Sequence, residues 1–154
     1  SKPWADAAAA TLVAEFRRER RKTLRWTIGS ALYEMASDEV VGDLLKLAGA
    51  SSYGEARQMI VLGLGKVSAR PPVVRLLVAL LSDDDVIGHA VIALGKLRAS
   101  SARAEIAALS RHPKSWIRRE VKKALERIGR ASKISPTPAA GRPATPTRKR
   151  PPPR

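Results

Sequence analysis

Four stretches of this chain carry the same apolar stripe. The first places Leu24, Ile28, Ala31, Leu32 and Met35 on one line, and the second places Ala56, Ile60, Gly63, Leu64 and Val67. The third has Val86, Ala90, Ala93, Leu94 and Leu97, and the fourth has Ile117, Val121, Ala124, Leu125 and Ile128. Each set follows i, i+4, i+7, i+8, i+11, the spacing of one buried helical face. Successive sets are offset by 32, 30 and 31 residues. A second helix precedes each stripe, marked by Val13 and Phe16, Leu44 and Leu47, Leu77 and Leu80, and Ile106 and Leu109. The pattern predicts an all-α chain of four helix hairpins, over Ala7–Met35, Glu39–Val67, Pro72–Leu97 and Ala102–Gly129.

The polar and small residues fit between and within these helices. Pro71, Pro72 and Pro113 fall between helices, where proline suits a first turn. Ser82 is expected to cap the third inner helix, with Asp83, Asp84 and Asp85 at its positive end. The third stripe position is always small: Ala31, Gly63, Ala93, Ala124. Gly65 and Gly95 lie off the stripe, where a missing side chain admits a neighbouring helix or a ligand. Each costs up to ~1 kcal/mol of helix propensity relative to alanine.

The inner helices carry "ARQMIVLGLGKV" (Ala56–Val67), "VIGHAVIALGKL" (Val86–Leu97) and "IRREVKKALERIG" (Ile117–Gly129). These stretches resemble HEAT repeats, in particular the short HEAT-like repeats of the phycobilisome-lyase type. Arg25, Arg57 and Arg118 match the arginine that follows the first stripe residue in that family, and Ile87 departs from it. The resemblance implies a right-handed α-solenoid over residues 1–130, with the inner helices lining a concave face used as a binding scaffold. Residues 131–154 hold seven of the eleven prolines and Ile134 as their one bulky apolar residue, so a disordered tail is expected there.

On a helical wheel, the row opposite the stripes reads Trp26, Ser30, Tyr33; Gln58, Leu62, Gly65; Gly88, Ile92, Gly95; Arg119, Lys123, Glu126. From it, Trp26, Tyr33, Gln58, Leu62, Ile92, Arg119 and Lys123 are the expected partner contacts. Apolar side chains on an open face suit a protein or peptide partner, acidic or partly apolar.

Charge sharpens the choice of partner. The net charge is +15, with six basic and no acidic residues in 131–154. "RRERRK" (Arg17–Lys22) closes the first helix, and Lys114, Arg118, Arg119, Lys122, Lys123 and Arg127 form an expected basic patch in the last hairpin. The alternative function is therefore nucleic-acid binding through that hairpin and the tail, by salt-sensitive phosphate contacts.

Catalytic chemistry finds little footing. The chain has no cysteine, and its two histidines, His89 and His112, are not followed by glutamate. The resemblance to the iron-dependent HEAT-like hydroxylases therefore fails at its metal motif. A HEAT-like DNA glycosylase would offer aromatic residues such as Trp26, Tyr33 and Trp116, but no aspartate stands on the inner row. "GLGK" (Gly63–Lys66) lacks phosphate-loop spacing and lies within a helix. "AAAATLVAEF" (Ala7–Phe16) runs straight into the basic cluster and is expected to be an amphipathic helix rather than a leader. No apolar run is long enough to span a bilayer. The expectation is a non-enzymatic scaffold without metal or cofactor, cytoplasmic, and, from its alanine and arginine content, bacterial.

Overall fold

The computed structural model describes residues 2–134, and the side chains of residues 2–133. Among the described residues the fold is all-helical, with eight α-helices and no strand. They are α1 (Pro3–Arg18), α2 (Lys22–Glu34), α3 (Val41–Gly49), α4 (Gln58–Gly63), α5 (Pro71–Ala79), α6 (Ile87–Lys96), α7 (Arg103–Ala107) and α8 (Ser115–Ile134). Short 3-10 turns lead into or extend several of them, notably Ser51–Arg57 before α4 and Leu64–Lys66 after it. Helix α8 runs to Ile134, four residues past the boundary expected at residue 130. The tail expectation otherwise lies outside the described residues.

The helices pack in pairs: α1 on α2, α3 on α4, α5 on α6 and α7 on α8. The even helices also pack on one another in order, α2 on α4, α4 on α6 and α6 on α8. Starts meet starts: the indole of Trp26 in α2 bonds Gln58 in α4, and that of Trp116 in α8 overlies Gly88 in α6. Two turns further along, Tyr33 lies beside Gly63, Gly65 beside Ala93 and Gly95 beside Ala124. The even helices therefore run parallel, in one row.

One core runs the length of that row. The second stripe is buried throughout, and in the third and fourth only Leu97 and Leu125 are half-buried. The first stripe is looser. Leu32 is buried, Ile28, Ala31 and Met35 are half-buried, and Leu24 is 39% exposed, against expectation. Phe16 of α1 is buried and meets Tyr53 edge to face, with ring centroids 5.1 Å apart.

Arg25, Arg57 and Arg118 each donate to backbone carbonyls of the segment before their own helix. Arg25 Nε donates to Phe16 O in the last turn of α1 (3.0 Å), and Arg57 Nη1 donates to Ala48 O in the last turn of α3 (3.0 Å). Arg118 Nη1 donates to His112 O and Pro113 O, just past α7 (2.7 and 2.9 Å). Terminal helix carbonyls lack intrahelical donors, and the guanidinium groups of Arg25 and Arg57 supply them, whereas Arg118 ties down the loop before α8. Arg57 is fully buried. Its other nitrogens donate to Gly54 O (2.9 Å) and to Asp83 Oδ2 (2.7 Å).

Ser82 does not cap α6, as the sequence had suggested. It is exposed in the turn after α5, and α6 has no side-chain cap. Asp83 instead turns towards Arg57 and accepts from the backbone N–H of Asp85. A buried guanidinium is the stronger claim on that carboxylate.

Candidate binding surface

Parallel packing gives the row two edges with different chemistry. At the starting edge, Trp26 Nε1 donates to Gln58 Oε1 (3.3 Å), and Gln58 Nε2 donates to Asp85 O (3.1 Å). These bonds cross-link α2, α4 and the turn before α6. The indole of Trp26 is held by its N–H, yet the residue remains 40% exposed. It borders a cleft of about 730 Å³ whose lining includes Arg20, Lys22, Tyr53, Glu55 and Asp85. Tyr53 is fixed from behind by Phe16 and by the guanidinium of Arg25, 4.8 Å from its ring centroid. Gly54, at φ 56°, turns the chain sharply at the rim, in a conformation that favours glycine. The cleft thus offers aromatic surface, cations and carboxylates together.

At the far end of the same edge, Trp116 covers Gly88. A Cβ at Gly88 would fall 1.9 Å from the indole, so only glycine admits this contact. His89 meets Trp116 edge to face at 6.0 Å, and its burial holds the imidazole below its ordinary pKa.

The expected contact row is only partly open. Trp26, Arg119 and Lys123 are exposed; Tyr33, Gln58, Leu62 and Ile92 are half-buried. Gly88 and Gly95 are buried, contrary to the wheel reading, because Trp116 and Ala124 occupy the space above them. The ring of Tyr33 is flanked by Lys66 Nζ at 4.4 Å and Lys96 Nζ at 5.8 Å.

The residues of the expected basic patch differ in their surroundings. Arg118 spends its guanidinium on carbonyls, and Lys123 pairs with Glu120 at 3.2 Å. Arg118 and Lys122 line a cleft together with Glu126, whereas Arg127 lines a different one. Lys114 and Arg119 are exposed. Arg118 and Lys122 are spaced i, i+4, as are Arg119, Lys123 and Arg127, on two neighbouring lines of α8 away from its buried stripe.

Three residues of consequence escaped the sequence reading: Arg57 as a buried ion, and Lys96 and Arg98 at the finishing edge. A signal for Lys96 existed. Lys66, Lys96 and Arg127 occupy one register, ten residues after the first stripe position of their helices.

Among the described residues, no group of three His, Cys, Asp or Glu side chains converges to hold a metal, and no helix is long and apolar enough to cross a membrane. No family model matches the sequence, and a search of curated proteins finds no relative.

Proposed function

We propose that this chain is a non-enzymatic protein-interaction scaffold, built as a HEAT-like α-solenoid of four helix pairs. Its partner is a peptide segment that docks at the starting edge of the inner helices. The observation that carries this reading is the cleft beside Trp26. There an exposed, pre-oriented indole stands among Arg20, Lys22, Glu55 and Asp85. Rigid aromatic residues with tethered polar ends are efficient anchors for a protein partner. Carboxylates beside cations suit the mixed charge of a peptide better than a row of phosphates. Gln58, Leu62 and Ile92 extend the contact along α4 and α6, and the six basic residues of 131–154 add long-range attraction for an acidic partner.

Peptide display against the full chain tests this. Selected peptides are expected to lose most of their binding to a Trp26→Ala variant and to keep it with Trp4→Ala, whose indole is more exposed but lies outside this cleft. Peptides that bind both variants equally, or no selection at all, would overturn the reading.

A further inference from the structure

We propose that Lys96, Arg98, Arg127 and Arg130, at the finishing edge of α6 and α8, form a phosphate-binding cleft for a nucleic-acid backbone. This goes beyond the peptide site, which lies at the opposite ends of the same helices.

The four side chains line one cleft of about 330 Å³, and no carboxylate lines it. Four surface arginines are paired, Arg17 with Asp43, Arg18 with Glu15, Arg21 with Glu19 and Arg70 with Asp38. Arg98, Arg127 and Arg130 form no ion pair among the described residues. Like charges held together repel, so an array of this kind is relieved by an anion.

Backbone geometry supplies an independent observation. Helix α6 ends in a Schellman motif: Ala99 N–H donates to Leu94 O and Arg98 N–H to Gly95 O, both at 3.1 Å. The residue at this position must be left-handed, and glycine is the usual occupant. Arg98 takes it at φ 52°, as the one non-glycine residue of positive φ among those described. A strained residue of this kind, set at a cluster of free cations, is a mark of use rather than of packing.

Complementing the helix dipole accounts for Lys96, in the last turn of α6, but not for the whole group. Arg127 and Arg130 precede the last turn of α8, which runs to Ile134, and Arg98 lies outside α6. Lys66, in the 3-10 turn after α4, holds the register of Lys96 and Arg127, with its ammonium donating to Tyr33 O and Glu34 O at the end of α2. A nucleic-acid strand presents phosphates at repeated intervals along such a line, whereas the cleft's lining has no aromatic residue for reading bases. Recognition is therefore of backbone, without sequence preference.

The test is fluorescence anisotropy of the full chain with labelled duplex and single-stranded oligonucleotides across a salt series. The paired variant Arg127→Gln/Arg130→Gln is expected to bind at least about tenfold more weakly near physiological salt, with the log–log salt slope for duplex reduced by about 2. Arg17→Gln/Arg18→Gln, which removes the same charge elsewhere, should leave the slope within about 0.5 of the unsubstituted value. Arg98→Gly should weaken binding while raising Tm, a combination that loss of folding cannot produce. An equal slope change in both paired variants would overturn the cleft. So would an acidic polypeptide that competes as well as the oligonucleotide, or pyrophosphate binding with no binding of either nucleic acid.

Discussion

Gly95 lies so close to Ala124 that a Cβ on the glycine would sit 2.8 Å from the alanine Cβ and 2.9 Å from its Cα. The contact repeats along the row. Gly65 meets Ala93 in the same way, with 2.9 Å from the added Cβ to the alanine Cα, and Tyr33 lies beside Gly63 at the same register. Small residues at this crossing let successive inner helices approach with their backbones nearly touching, and so align the row. The glycines that weaken each helix alone strengthen the contact between helices.

Gly95→Ala should therefore destabilise the fold by about 1–3 kcal/mol, as overpacking outweighs the gain in helix propensity. Gly42→Ala should do the reverse. It lies within α3 with nothing within 4 Å of an added Cβ, so stability should rise by up to ~1 kcal/mol. Urea unfolding followed by circular dichroism gives both signs.

Arg57 is fully buried, and Asp83 is its near counter-ion at 2.7 Å. Arg57→Met keeps much of the volume but strands Asp83 and the carbonyls of Ala48 and Gly54. It should cost about 3 kcal/mol. Asp85 lies 3.8 Å from the guanidinium and is nearly half exposed, so Asp85→Ala should cost less than about 1 kcal/mol. The contrast is read from denaturant midpoints at constant slope.

His89 is kept neutral by burial beside Trp116. Its folded pKa is lowered, so its contribution is complete above the ordinary imidazole range and is lost as pH falls through the depressed value. Tm should fall more steeply between pH 7.5 and 5 for the unsubstituted chain than for His89→Gln. The Trp116 indole N–H resonance should shift over the same range.

Arg98→Gly should raise stability by about 1 kcal/mol, because glycine enters the left-handed region without the steric cost borne by arginine. Thermal unfolding of the two proteins under one buffer measures it directly.

Much of this fold was legible in the residue pattern. The second, third and fourth stripes predict the core. Leu24 broke the rule, since a stripe does not announce whether a neighbour will cover it. Gly65 and Gly95 were expected to admit a neighbouring helix or a ligand, and the next inner helix closes over each of them. Arg57 was visible as a matched position, but its carbonyl and carboxylate partners come from α3 and from the turn before α6. The binding surfaces were less legible. Charge density drew attention to the last hairpin, whereas the cations that share a cleft are related by register across two hairpins. Only Trp26 and Gln58, among the expected contacts, proved to be joined by a bond.

The central claim is that one row of parallel helices presents two chemically distinct edges. Chemical-shift mapping of the isotope-labelled full chain tests it most directly, with a display-selected peptide and an oligonucleotide added separately and then together. The account predicts two disjoint footprints: Trp26, Gln58, Glu55 and Asp85 for the peptide, and Lys96, Arg98, Arg127 and Arg130 for the oligonucleotide, with both formed at once. A single shared footprint, or an oligonucleotide response confined to Arg17–Lys22 or to residues 135–154, would contradict it.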